Sequence, residues 1–334
     1  MSDDRRMTDW QGGSGWDDFE GAVVALSGGV GGAKLILGLN DVLAPGKLIV
    51  VANTGDDFEH LGLQISPDLD TIMYTLAGLN NEELGWGVRG ETWNFMNSLT
   101  RLGGETWFRL GDSDLATHVE RTRRSRLGDS LSSITQGLCA RLGVTAELLP
   151  MTDDCVRTKI KAHDGWIDFQ DYFVRLRCQP IVEKVAFEGI EVARPLPRFL
   201  DALRHPGLRA IVICPSNPFI SVEPILGLSG VRAAIAASRA PVVAVSPIIG
   251  GMAIKGPTAK MMVELGLAPT PDSVADRYQD IIDGFVVDPK DNVDQGDRKY
   301  RLLKFPALMK DRTDKKRLAS EVLEFANKIR KYSK

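Results

Sequence analysis

Short continuous apolar runs, each ending in a loop of Gly, Ser, Asn, Pro or Asp, recur along this chain, and segments of helical periodicity separate them. The first run, Val23-Val24-Ala25-Leu26, breaks into Ser27-Gly28-Gly29-Val30-Gly31-Gly32-Ala33-Lys34, and a helical stretch follows with Leu35, Ile36, Leu37 and Leu39. A second run, Leu48 to Ala52, ends in Asn53-Thr54-Gly55-Asp56-Asp57. The pattern resumes later. Leu208 to Cys214 reads as a buried strand running into Pro215-Ser216-Asn217-Pro218, Val231 to Ala237 as helix, and Pro241 to Val245 as a strand before Ser246-Pro247-Ile248-Ile249-Gly250-Gly251. Lys255-Gly256-Pro257, a helix over Ala259 to Leu265 and a strand over Gly284 to Val287 complete the series. Uninterrupted apolar strands alternating with helices predict an α/β fold: a Rossmann-like, doubly wound, mostly parallel sheet. Ligands of such sheets sit at the carboxyl ends of the strands, where these polar loops fall.

Between Asn80 and about Leu149 the texture changes. Gly- and Trp-rich turns carrying Trp86, Trp93 and Trp107 precede an Arg-rich helix and a segment in which Leu131, Ile134, Leu138 and Leu142 keep helical spacing. The pattern predicts a mainly helical insertion, a cap over the sheet edge, spanning 81–174. The Rossmann-like core then comprises 21–80 and 175–310, preceded by a disordered polar leader over 1–20 and followed by a C-terminal packing helix within 311–334. Pro67-Asp68-Leu69-Asp70-Thr71 opens an apolar-periodic segment, so either acid suits a helix N-cap, and an acid so placed can also face the crevice. The three tryptophans with Arg89, Arg109 and Asp112 suit a flat aromatic ligand. His118 reads as a hydrogen-bonded structural residue.

Bulk properties narrow the classes. The chain has 334 residues, 43% of them hydrophobic and 25% charged, with net charge −3, so no basic excess argues for nucleic acid. No apolar run reaches the roughly 18 residues of a membrane span. The four cysteines, Cys139, Cys155, Cys178 and Cys214, form no C-x-x-C pair and fit a reducing cytoplasm. The four histidines lack zinc-site spacing.

The glycine loop carries the first chemical signal. Glycines admit close approach of a ligand to the backbone, and the N-terminus of the next helix favours a phosphate. The spacing departs from the dinucleotide fingerprint, because Lys34 stands where the third glycine belongs. It departs from the nucleotide-hydrolase loop as well, where Ala33 replaces the glycine before the lysine. Glycine-loop amides, Ser216 and Asn217, the acids Asp56, Asp57 and Asp70, and the cations Arg109 and Lys255 together point to Mg²⁺ and a nucleotide diphosphate. Phosphoryl-group transfer suits such a site, since it needs positioning and charge neutralisation more than a covalent protein nucleophile. The residues alone leave the acceptor open.

Several motifs carry a resemblance. Ser27 to Lys34, Asn53 to Asp57, Ser66 to Thr71, Leu110-Gly111-Asp112-Ser113-Asp114-Leu115-Ala116-Thr117-His118, Pro150-Met151-Thr152-Asp153-Asp154, Pro215 to Pro218 and Ser246 to Gly250 occur in that order. Together they resemble the 2-phospho-L-lactate transferase (CofD/FbiA) family of coenzyme F-420 biosynthesis, from Ala22 to about Asp288. The resemblance implies a cytoplasmic, Mg²⁺-dependent homodimer. Such an enzyme moves a phospho-three-carbon-acid group (2-phospholactate, phosphoenolpyruvate or 3-phosphoglycerate) from its guanosine diphosphate ester to the ribityl hydroxyl of the deazaflavin Fo, releasing GMP. It further implies that Asp70 and Arg109 contact Fo, and that Gly28, Gly29, Gly31, Gly32, Ser216 and Asn217 hold the nucleotide. Asp56 and Asp57 would ligate Mg²⁺, with Asp56 and Asp70 the candidates for taking the hydroxyl proton. Two other readings compete: a nucleotide-sugar-binding regulator of related fold, and an NAD-dependent oxidoreductase.

Overall fold

The computed structural model describes residues 19–253, 256–293, 296 and 298–332. Lys255 and most of the expected leader lie outside the described residues. In chain order the first half runs β1 (Val23–Ser27), α1 (Gly29–Val42), β2 (Leu48–Ala52), the hairpin β3 (Phe58–His60) and β4 (Leu63–Ile65), α2 (Pro67–Leu76), α3 (Asn94–Arg101), α4 (Asp112–Arg126) and α5 (Leu131–Arg141). Next come β5 (Glu147–Pro150), β6 (Arg157–Ala162), β7 (Gly165–Asp168), β8 (Lys184–Glu188) and α6 (Pro197–Arg204). The remainder comprises β9 (Ala210–Ile213), α7 (Glu223–Gly227), α8 (Val231–Ala236), β10 (Val242–Val245), β11 (Ile248–Ile249), β12 (Met252–Ala253), α9 (Thr258–Glu264), α10 (Pro271–Asp276), β13 (Gly284–Val287), β14 (Arg301–Lys304) and α11 (Arg312–Tyr332).

Among the described residues seven strands form the main sheet in the order β14-β13-β10-β9-β1-β2-β5. Every adjacent pair is parallel, with β1 in register against β2 on one side (Val23 opposite Leu48) and β9 on the other (Val23 opposite Ala210). Such a sheet is covered on both faces, which is why its strands read as unbroken apolar runs. The period of two sorts their side chains. Val24, Leu26, Ile49, Val51, Ile211 and Ile213 enter one core with α6 to α10. Val23, Ala25, Leu48, Val50, Ala210 and Val212 enter the other with α1, α2, α5 and α11. The expected C-terminal helix is α11, whose Leu318, Val322, Leu323 and Ala326 are buried against that second layer.

The insertion is more mixed than the sequence pattern suggests. Its helices α3 and α4, with the β3–β4 hairpin, build a small core of Ile65, Met96 and Leu110 with Trp93, Phe95 and Phe108 around it, whereas α5 packs on the main sheet. β5, inside the expected 81–174 segment, returns to the main sheet as its edge. A separate antiparallel sheet, β7-β6-β8, continues beyond residue 174. Short strands with polar neighbours carry little periodic signal, so a sequence reading absorbs them into the helical region.

Candidate active site

The strand order reverses at β1, whose successor in the chain lies on one side and β9 on the other. The loops leaving β1 and β9 therefore splay apart above the sheet and open a crevice at their carboxyl ends. A cavity of about 630 Å³ fills it, bounded by Gly28, Gly29, Gly31, Asp56, Asp68 and Ser216 on the sheet side. Trp86, Trp107, Phe108, Arg109, Phe169 and Phe173 lie on the facing side.

The glycine loop is shaped by its neighbours. Gly29 takes φ +66 at the start of α1, a left-handed value suited to glycine. A side chain at Gly31 would meet the Pro215 carbonyl, and one at Gly32 would run into Ser27 and Ser216. Gly28, Gly29 and Gly31 line the cavity, whereas Gly32 packs beneath it. Ser216 is part of that packing: its Oγ accepts from Gly28 N–H at 3.2 Å and donates to Gly28 O at 2.8 Å. Asn217 Oδ1 accepts from Phe219 N–H at 2.9 Å and caps the π-helical turn Pro218–Val222. Both residues line the cavity, but these polar atoms tie the β9 loop to itself and to β1. The amides of Val30 and Gly31, in the first turn of α1, have no intrahelical acceptor and remain for an anion.

Next to these amides stands a pair of buried acids. Asp68 Oδ1 accepts from Gly29 N–H at 2.7 Å, and its Oδ2 accepts from Asn53 Nδ2 at 2.9 Å. Asp56 Oδ1 accepts from Thr158 Oγ1 at 3.2 Å. Burial pushes the Asp68 carboxyl up to about 6. Burial, with the Asp68 charge beside it, holds Asp56 well above the ordinary carboxylate range, and hydrogen bonds from Asn53 and Thr158 offset only part of this. Neither acid has an ion-pair partner among the described residues. Two desolvated carboxylates beside each other, supplied with neutral donors only, fit a hard divalent cation such as Mg²⁺.

The other expected acids lie elsewhere. Asp57 turns off the cavity wall and accepts from Ser66 Oγ at 2.8 Å, leaving Oδ1 buried without a partner; burial pushes its carboxyl up to about 7. Asp70 also lies off the wall, in an ion pair with the fully buried Arg121 of α4. His118 Nδ1 is 3.7 Å from Asp70 and its Nε2 is 3.3 Å from Asp114, which accepts from Tyr74 OH at 2.8 Å. Asp70, Asp114 and His118 could geometrically surround a metal, but the Arg121 guanidinium already neutralises Asp70. This cluster joins α2 to the cap.

Arg109 does reach the cavity, and its guanidinium lies 4.1 Å from the Trp93 ring centroid. Trp93 in turn meets Trp86 edge-on at 6.1 Å. Trp86 and Trp107 face the cavity, while Trp93 supports Arg109 from behind. Arg89 and Asp112 are absent from the wall. Arg89 donates to Gly78 O at 3.1 Å. Asp112 accepts from Thr92, Asn94 and Phe95, bonds led by Thr92 that hold its carboxyl down at about 2. Asp68, Gln170 and Arg177 are all on the wall; the sequence offered Asp68 only as one of two acids able to cap a helix or face the crevice, and gave Gln170 and Arg177 no role. Only Asp68 had a usable signal, its place in the Ser66 to Thr71 motif.

A doubly wound sheet with an amide-lined glycine turn, a buried acid pair and an aromatic wall at its switch point defines the class, an α/β protein with a crevice at the carboxyl edge of its sheet. The profile of the family described as 2-phospho-L-lactate transferase CofD matches residues 23–326, and the chain belongs to that family. It is 39% identical over 319 residues to the phosphoenolpyruvate transferase of Streptomyces griseus, covering 92% of this chain and 99% of the relative. It is 36% identical to the 2-phospho-L-lactate transferase of Methanocaldococcus jannaschii, again over 92% and 99% of the two chains. Among solved structures, a member of the UPF0052 family from Bacillus halodurans shares the fold with a TM-score of 0.53 at 16% identity, covering 80% of each chain.

Proposed function

We propose that this protein is a cytoplasmic transferase of coenzyme F-420 biosynthesis. It moves a phospho-three-carbon-acid group from its guanosine diphosphate ester to the ribityl hydroxyl of the deazaflavin Fo. The observation that carries this reading is a single cavity of about 630 Å³ that joins the glycine-loop amides and the Asp56–Asp68 pair to the Arg109 and tryptophan wall. That volume lies within the range of small-molecule sites, and its two walls suit a diphosphate and an aromatic ring. Relatives named for phosphoenolpyruvate and 2-phospho-L-lactate transfer support the donor class.

In this reading the amides of Val30 and Gly31 hold the diphosphate and Arg109 holds the deazaflavin edge. Asp56 and Asp68 hold Mg²⁺, which supplies neutralisation of phosphate charge. The ribityl oxygen forms a bond to the phosphorus that bears the acid. The bond from that phosphorus to the bridging oxygen breaks, and GMP leaves with the bridging oxygen. The hydroxyl proton passes to solvent, because the Asp56–Asp68 pair must stay ionised to hold the cation. No cysteine or serine nucleophile is required.

Incubation with Fo, Mg²⁺ and each of the three guanosine donors, followed by mass spectrometry, should yield Fo enlarged by the phospho-acid of one donor. Absence of product with all three overturns the reading. Chelation by EDTA should abolish turnover and added Mg²⁺ restore it. The proposed homodimer is checked by light scattering in solution.

A further inference from the structure

Arg177 (φ 49) and Cys178 (φ 56) are consecutive left-handed residues, and neither is glycine. They follow a π-helical turn, Asp171–Arg175. The turn is closed by Cys178 N–H donating to Tyr172 O at 2.8 Å and Gln179 N–H donating to Leu176 O at 2.9 Å. Left-handed backbone is disfavoured for a residue with a Cβ, and arginine lacks the short polar side chain that eases it for Asn or Asp. Strain of this kind survives where the surrounding structure imposes it, and it gathers at ligand sites.

Arg177 lines the cavity, and its guanidinium has no hydrogen-bond or ion-pair partner among the described residues. The other described cations on the wall are engaged: Lys34 donates to Met309 O at 3.0 Å, and Arg109 stacks on Trp93. The strained segment begins beside the acid pair, because Gln170 Nε2 donates to Asp56 O at 3.1 Å. Phe169 and Phe173 stack with centroids 5.4 Å apart and stiffen it.

We propose that Arg177 binds the carboxylate of the transferred three-carbon acid. This inference rests on the reaction proposed above. The diphosphate already has the loop amides, which leaves the acid's carboxylate as the anion in need of a partner. The planar guanidinium matches a carboxylate with two parallel hydrogen bonds, a geometry lysine lacks.

The test uses Arg177→Gly, which removes the guanidinium and also relieves the left-handed backbone, with Arg177→Lys as the conservative variant. Donor kcat/KM should fall roughly 10- to 100-fold in Arg177→Gly, the range expected for a lost charged hydrogen bond. GDP affinity by calorimetry should stay at the wild-type value, and Tm should hold or rise. Arg177→Lys should recover part of the donor kcat/KM. Unchanged donor kcat/KM in Arg177→Gly overturns the assignment alone. GDP affinity falling in step with donor kcat/KM also overturns it, because that places Arg177 on the diphosphate. A wild type without turnover on any donor overturns the reaction and this assignment with it.

Discussion

At the scale of single residues, burial of acids dominates. Asp57 is protonated up to about pH 7 when folded, against an ordinary value of 3.8, so the folded state binds more protons than the unfolded one between these limits. Stability from this group therefore falls as pH rises through that window, and the cost is complete above it. Its size is of the order of 4 kcal/mol. Asp57→Asn keeps an acceptor for Ser66 and removes the charge, so the metal-free protein should gain Tm over wild type at pH 8 and little at pH 4. Equal Tm differences at both pH values would contradict the buried-charge explanation. Asp68 makes a different prediction. Asp68→Asn should cut turnover by about 100-fold or more, since it touches both α1 and the proposed ion, with retention of the fold checked by circular dichroism. Calorimetric titration with Mg²⁺ should show the matching loss of affinity.

Helix geometry explains why two acids of one motif part company. Asp68 and Asp70 lie in the first turn of α2, two residues apart, and so point about 200° away from each other. Asp68 faces the crevice and caps α1; Asp70 faces α4 and meets Arg121. The expectation that Asp70 contacts the acceptor had no means of telling these faces apart, because α4 lies over 40 residues downstream. Loss of one partner from a buried pair leaves the other charge uncompensated. Arg121→Met should therefore destabilise by about 3–5 kcal/mol in thermal or urea unfolding. The double variant Asp70→Leu with Arg121→Met should recover most of that stability. If the double variant is as unstable as the single one, the cluster matters through packing rather than charge.

For the whole molecule, the site exists because the sheet reverses its order between β1 and β9, strands separated by most of the main chain's first 200 residues. Its support comes from the back, where α1 packs on α11. Gly38 sits at their closest approach, and a Cβ there would run into the Lys315 carbonyl. Alanine would raise the intrinsic helix propensity of α1, yet overpacking costs about 1–3 kcal/mol and outweighs that gain. Gly38→Ala should lower Tm, and an increase would show that the two helices separate freely.

The amino-acid order by itself determined the α/β class, the parallel sheet and the edge at which its crevice opens. Fully buried strands and amphipathic helices have distinct apolar periods, and turn residues mark their ends locally. It also brought out the glycine turn and the acidic loop, whose backbone demands are written in a few adjacent residues. Tertiary structure alone decided which acids share the crevice. That Asp56 meets Asp68 while Asp57 and Asp70 turn away, that β5 rejoins the main sheet, and that Arg177 reaches the wall all depend on contacts between distant segments. The reason is physical: periodicity tells how a residue faces its own element, whereas the partner on that face is set by how the elements pack.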